Sequence, residues 1–481
     1  MKKKLVLNTL IYTVLPKLPT LASFFILPFI TPYLTLSDYG RFGLVTACYS
    51  AFSLFVVLGQ NIVLQNSFFE YRNHYNLVWS RVYGVMTASS VGIALLLAII
   101  FYFFLGRTFS LEFFAVSGLF GIALICSPID TIAQVYYILN EKPLPLVVRS
   151  ILMGIINASV VFISIRYLKL GYLGWVIGIA GNSLFSLLFY LYPICVKRRI
   201  YPRFNTKRKH IIEYMKVGLP LLPHSLSIYI FNTSDRLLLS FFNISIKEIG
   251  LYSQSYSLGS NGMTLIDGLF SALSRTLQEC LRNRTEANRQ KLRKLFGMVV
   301  VGVAIILFNC ALWMKEVFLF LFRKPELQIG YPVAVVIITG YIYFPLYDFA
   351  MYPLFIKKKT NLVARMSMSA ALINLLGNII FIPMYGYWAA LISTYVSFIF
   401  FALSALLFKE IKEGLQWMFS RSTLVYISSV MCILIITIFV WFLKDVYWPY
   451  KVVATFFSFL TTFAFSLYLG LFKINKSVRS N

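Results

Sequence analysis

Leu15-Pro16-Lys17-Leu18-Pro19 returns 204 residues later as Leu219-Pro220-Leu221-Leu222-Pro223. Downstream, Asp38-Tyr39-Gly40-Arg41-Phe42 is echoed by Glu248-Ile249-Gly250-Leu251-Tyr252. Lys142 and Asn157 are matched by Lys359 and Asn374, and Gly171-Tyr172 by Gly386-Tyr387. The order is kept and the offset rises only from 204 to 217, which small loop insertions explain. Each echo is short; together they predict an internal duplication.

The segments between these echoes are strongly apolar. Of 481 residues, 59% are hydrophobic, 17% aromatic and only 13% charged, against about 25% charged in an average soluble chain. Mean hydropathy is +0.77. Apolar runs of roughly 20 residues recur along the chain, each enough to cross the hydrocarbon as a helix. The alternating ten-residue segments of a transmembrane barrel are missing. The fold class expected is an all-α polytopic membrane protein.

Fourteen spans are expected: 8–34, 42–64, 82–105, 112–138, 145–166, 171–195, 215–241, 249–273, 297–322, 329–355, 360–382, 386–408, 422–443 and 449–472. The start, Met1-Lys2-Lys3-Lys4, has the charge of a signal-peptide opening. Lys17 and the prolines Pro16, Pro19, Pro28 and Pro32 interrupt the apolar stretch next to it, and no small-residue cleavage site is evident, so it is read as a retained first helix. With Arg149, Arg166, Lys216, Lys315 and Lys451, near span ends, counted with the adjoining connections, 31 of the 44 lysines and arginines fall on the side of the N-terminus, ten on the other, and Lys17, Arg236 and Arg365 inside spans. The positive-inside rule then puts both termini in the cytoplasm. A net charge of +27 therefore reports topology and attraction to anionic lipid rather than nucleic-acid binding. The six cysteines, scattered through apolar segments without metal or disulfide spacing, read as small buried hydrophobes.

The duplication divides the chain into an N-lobe over 1–196, a basic cytoplasmic linker over 197–214, a C-lobe over 215–409, and two further helices with a tail over 410–481. Six helices per repeat is an even number, so both halves point the same way. Parallel repeats of this kind in other transporters form lobes about a central cavity and work by alternating access.

The stretch Val14–Gly40, the run Gly218-Leu219-Pro220-Leu221-Leu222-Pro223-His224-Ser225-Leu226-Ser227, the Ser234-Asp235-Arg236 triplet and Glu248–Tyr252 resemble bacterial polysaccharide-biosynthesis flippases of the O-antigen (Wzx) type. Lys359-Thr360 to Asn374, then Tyr385-Gly386-Tyr387-Trp388-Ala389-Ala390, is similar too, so the resemblance spans nearly the whole chain. It implies a member of the multidrug/oligosaccharidyl-lipid/polysaccharide (MOP) exporter superfamily. The implied function is to turn an undecaprenyl-pyrophosphate-linked oligosaccharide from the cytoplasmic to the periplasmic leaflet of the inner membrane.

Ionisable groups within spans are costly and tend to face a cavity or a partner. Lys17 shares a helical face with Thr20, Phe24, Pro28 and Thr31; it is read either as an inward ammonium for a pyrophosphate or as a lysine reaching for the headgroups. His224, Ser225, Asn232, Asp235 and Arg236 fall within one arc of the seventh span. Arg236 offers a forked donor for phosphate oxygens, or pairs with Asp235 as a structural contact. His224 is either proton-sensitive or a satisfied interior histidine. On the eighth span Ser253, Ser257, Ser260, Thr264 and Asp267 follow alternating steps of four and three, as a wall for sugar hydroxyls or as ordinary small-residue packing. Asp130, Asp235, Asp267 and Asp348 are candidates for ion coupling. Tyr341, Pro345, Asp348 and Tyr352 share a face, where stacking on sugar rings competes with core packing. Arg365 reads as an anchor at a helix start.

No cofactor, metal or catalytic residue is expected; the energy source is a proton or sodium gradient or the membrane potential. Expected partners are the lipid-linked oligosaccharide, membrane lipids and other polysaccharide assembly proteins. A drug or metabolite antiporter of the same superfamily is the alternative, and a membrane glycan polymerase or acyltransferase a more distant one. No Walker-type glycine loop supports ATP hydrolysis.

Overall fold

The computed structural model describes residues 25–71, 74–105, 109–140, 142, 144–283, 285–356, 360–404 and 448–468. Lys17, the span over 422–443 and most of the first span lie outside the described residues. After a helical stretch over 25–30 and a 3-10 turn at Thr31–Tyr33 come α1 (Leu36–Val57), α2 (Asn61–Glu70), α3 (Tyr75–Phe104), α4 (Leu111–Leu139), α5 (Leu144–Arg166) and α6 (Leu173–Tyr190). A π-helical segment, Leu191–Val196, leads into α7 (Arg208–Gly218), α8 (Leu222–Thr233), α9 (Asp235–Phe241) and α10 (Ile246–Arg282). Next come α11 (Glu286–Leu312), α12 (Met314–Leu321), α13 (Pro325–Gln328), α14 (Tyr331–Gly340), α15 (Phe344–Ile356), α16 (Thr360–Tyr385), α17 (Tyr387–Ser404) and α18 (Trp448–Tyr468).

Among the described residues, nine helical stretches are long and apolar enough to cross a membrane. Leu95, Leu96 and Ile99 of α3 are exposed on one face, which suits contact with lipid tails better than with water. The chain is a multi-pass helical membrane protein.

Two compact units make up the fold. Of the described residues, one comprises those up to Gln254 with Phe320–Leu327 and Ala371–Ala390; the other comprises those within Ser255–Leu319 and Gln328–Ala370 and those from Leu391 on. In the first, α4 packs between α3 and α6, and α5 covers α6. Its core holds Trp79, Met86, Ile129, Tyr136 and Tyr190. The Trp79 indole donates to the Leu64 carbonyl and the Ser67 hydroxyl, both at 3.1 Å, so the one polar atom of that ring is satisfied. In the second unit α11 packs on α14 and α18. There Lys451 bonds Glu316 at 2.5 Å, Trp313 donates to Thr455 at 2.9 Å and Asn309 to Ser458 at 3.0 Å, so a polar ladder fastens α18.

The duplication is visible within the first unit. Thr35 and Asp38 form a capping box on α1, each side chain accepting from the other's backbone N–H. Ser245 sits at the start of α10 in the same way: it accepts from the Glu248 N–H and donates to its carboxylate. The two capped openings cross. A methyl group on Gly40 would lie 2.0 Å from the Ile246 carbonyl oxygen, and one on Gly250 would lie 1.9 Å from that of Leu36. Residue 36 pairs with 250 and 40 with 246, so the contact is self-complementary under a two-fold exchange of the repeats. Further along, Gly171 (φ +55°) and Gly386 (φ +59°) both turn the chain in the left-handed region just before α6 and α17.

Several boundaries differ from the sequence-based spans. The span set at 42–64 begins at Leu36, because the Thr35–Asp38 box starts the helix. It also breaks at Leu58-Gly59, where both residues have positive φ. The span at 215–241 is instead four pieces, α7, a 3-10 turn over Leu219–Leu221, α8 and α9; Pro220 and Pro223 cannot donate to its ladder. The span at 249–273 extends over 37 residues as α10. Its polar C-terminal end evades a hydropathy criterion.

Candidate functional site

Two buried polar sites are built in the first unit. The first begins with Pro128 inside α4. Proline lacks the N–H that would bond the Leu124 carbonyl, and the Ser127 hydroxyl donates to that oxygen instead, at 2.8 Å. Two residues on, Asp130 meets Arg149, the sixth residue of α5, at 3.3 Å. Gln134 donates to the other carboxylate oxygen at 3.0 Å. The Arg149 fork continues to Asn182 on α6 at 3.3 Å and to the Ser186 hydroxyl. Side-chain exposures of 13% for Arg149 and 24% for Asp130 leave this pair largely out of solvent. Its worth therefore comes from geometry and mutual satisfaction rather than from free attraction.

The second site centres on Asp235, the first residue of α9 and 1% exposed. Its carboxylate accepts from the Tyr252 hydroxyl at 2.5 Å and from the Asn378 amide at 2.7 Å. The same amide bonds Asn374 Oδ1 at 3.1 Å, while Asn378 Oδ1 is buried with no hydrogen-bond donor. Tyr252 belongs to α10, and Asn374 and Asn378 to α16. Three elements thus converge on one carboxylate, with several oxygen acceptors gathered around it. Such a set suits a proton or a small hard cation.

Arg236, next in sequence, is half-buried and donates to the Asn232 carbonyl at 3.2 Å. Its side chain runs close to Gly43 of α1. Asn232 itself donates to the Ile228 carbonyl at 3.0 Å, and His224 is half-buried on α8. In the second unit Ser257 and Asp267 are exposed on α10, while Ser260 and Thr264 are half-buried. Ser260 donates back to the Ser257 carbonyl at 2.8 Å, an intrahelical bond. Ser253, placed on the same stripe, is buried against Gly43 and packs rather than lining a wall. Asp348 of α15 is half-buried and near enough to Asp267 for their charges to interact. Arg365 is exposed in the second turn of α16.

Arg149, Asn182, Ser186, Tyr252 and Asn378 were missed as site residues in the sequence. Arg149 was counted with the connection before α5. A guanidinium well inside an apolar run, with an intramembrane aspartate on the preceding helix, was the available signal.

The fold is that of MOP-superfamily transporters and flippases. The lipid II flippase MurJ in an inward closed conformation matches with a TM-score of 0.62 at 17% identity, covering 94% of this chain and 98% of that one. An inward-facing multidrug-resistance MATE transporter matches with a TM-score of 0.61 at 13% identity, covering 86% and 98%. A MOP-superfamily transporter of Pyrococcus furiosus matches at 0.57 and 14%, covering 86% and 96%. By sequence, residues 5–274 match the family of polysaccharide biosynthesis proteins, and the chain belongs to that family. No protein of curated function matches it by sequence.

Proposed function

We infer that the chain is a flippase for lipid-linked oligosaccharides. It turns undecaprenyl-pyrophosphate-linked glycan repeat units, of O-antigen or a similar surface polysaccharide, from the cytoplasmic to the periplasmic leaflet of a bacterial inner membrane. The observation that carries this is membership of the polysaccharide biosynthesis family by a chain with a MOP fold. The duplicated α1 and α10 openings support alternating access, because parallel repeats are the architecture on which rocking transport is built.

The cargo head carries a pyrophosphate and sugars, and its charge is costly to bring into a low-dielectric region. Arg236 and Lys17 are assigned to offset that charge. His224, Asn232, Ser257, Ser260 and Thr264 supply hydrogen bonds to the head. Asp235 is the favoured coupling residue, since its carboxylate is buried and is a meeting point of α9, α10 and α16 through Tyr252 and Asn378. Asp130, Asp267 and Asp348 are the other candidates. Both termini face the cytoplasm, and other polysaccharide assembly proteins are its expected neighbours.

Complementation decides the cargo. In a strain lacking its own flippase, expression of this chain restores surface glycan. Lys17→Ala and Arg236→Ala remove that display while leaving the amount of protein in the membrane unchanged. Normal display from both variants refutes the cation assignment. Resistance to cationic drugs without any restored glycan would identify a MATE-like antiporter instead.

A further inference from the structure

Two of the chain's three histidines, His74 and His210, line one hollow of about 460 Å³ in the first unit. One wall comes from the end of α2 and the turn after it, with Glu70, Tyr71 and His74; the facing wall is α7, with His210, Glu213 and Tyr214. Arg81 of α3 completes it. The walls are held in place by backbone. Gly218, at the end of α7, lies so close to the α1–α2 turn that a methyl group there would meet the Leu58 carbonyl at 2.2 Å, and one on Gly59 would meet that of Gly218 at 2.2 Å. Gln60 reaches from the same turn to the Tyr214 carbonyl at 3.5 Å.

The lining narrows the ligand. His210 Nδ1 lies 3.2 Å from Glu213 Oε2, and the Arg81 charge acts on the Tyr214 phenol beside it. Glu70 stands beside Tyr71 and pushes that phenol's pKa up. Among the described lining residues two carboxylates outnumber one guanidinium, which disfavours a phosphate. Val63, Leu77, Val78 and Val217 alternate with these charged groups, a mixture that suits a sugar, apolar on its C–H face and polar at its edge, better than an acyl chain. Among the described residues no three His, Cys, Asp or Glu side chains are arranged to hold a metal ion. What remains is a neutral ligand with many hydroxyls. Carboxylate and imidazole accept from sugar hydroxyls, guanidinium and phenol donate to them, and flat phenol and imidazole rings suit the C–H face of a pyranose. The volume falls within the roughly 300–1,000 Å³ usual for small-ligand pockets.

We propose that this hollow is a sugar-binding site, taking one or two pyranose rings of the glycan between α7 and the wall of Glu70, Tyr71 and His74. None of its residues belongs to the buried charge sites. It rests on the glycan-cargo reading and adds that the sugar, and not only the lipid pyrophosphate, is recognised.

The full-length protein in lipid nanodiscs is tested by saturation-transfer NMR with methyl glycosides of common hexoses, N-acetylhexosamines and 6-deoxyhexoses. Transfer to at least one glycoside is expected. Glu70→Gln and Glu213→Gln, on opposite walls and nearly isosteric, each lower it about fivefold or more, the loss of roughly one hydrogen bond to a charged acceptor. Glu286→Gln, in the first turn of α11, leaves it unchanged. No transfer to any glycoside, or equal transfer with both pocket variants, overturns the site. Complementation run alongside separates the failures. Restored display without glycoside transfer removes the sugar site alone, whereas transfer without display keeps the site and removes the flippase reading.

Discussion

Gly40 and Gly250 hold each other's helix in place: each lies against a carbonyl at the opening of the helix that carries the other. Alanine at either position overpacks this crossing, since the neighbouring atoms are backbone and cannot rotate away. Gly40→Ala and Gly250→Ala are each expected to cost about 1–3 kcal/mol or more, seen as a lower thermal unfolding midpoint in detergent. Gly118 of α4 has no heavy atom within 4 Å of an added methyl. Gly118→Ala should be neutral or stabilising by about 0.5–1 kcal/mol through helix propensity.

Arg149→Ala strands the Asp130 carboxylate among apolar helices and should destabilise the protein by about 3–5 kcal/mol. Pairing Asp130→Asn with Arg149→Met removes both charges together. The double variant should therefore be more stable than Arg149→Ala, and a double-mutant cycle with Asp130→Asn and Arg149→Met should give a coupling of about 0.5–3 kcal/mol. A coupling near zero would mean that the two side chains act independently.

Asp235→Asn keeps the shape of the buried site and removes its charge. Surface glycan should disappear while membrane protein level is maintained. Tyr252→Phe removes one donor to the carboxylate and should lower stability by roughly 1–3 kcal/mol, as for a hydrogen bond to a charged group. Wild-type display from Asp235→Asn would move the coupling role to another aspartate.

Reporter fusions test sidedness. A reporter inserted at residue 205, within the basic connection before α7, and one fused at the C-terminus should both report cytoplasm. Opposite reports would break the even helix count on which the parallel repeats depend.

Helix positions were legible where apolar runs end at polar residues on both sides. The spans at 112–138 and 145–166 differ from α4 and α5 by a residue at most at either end. Internal breaks were not legible. Gly59-Gln60-Asn61 interrupts the apolar run only briefly before Ile62-Val63-Leu64, so the stretch still reads as one span, and the backbone shows that the chain turns there. Of the site, Asp235 and Arg236 were readable as charges in a span. Tyr252 and Asn378 were not, because their role comes from the consecutive helices α9 and α10 meeting α16, whose Asn378 lies 143 residues from Asp235. The echo of Asn157 in Asn374 pointed to the right helix without indicating what it touches.

The glycine crossing also has an ancestry written into it. Residues 36 and 40 meet 250 and 246 in the reciprocal manner of a symmetric homodimer. A half-length forebear carrying one such capped, glycine-faced helix would have been able to bind a second copy of itself through this contact. Carrying both halves in one chain makes that contact intramolecular, so it no longer depends on concentration.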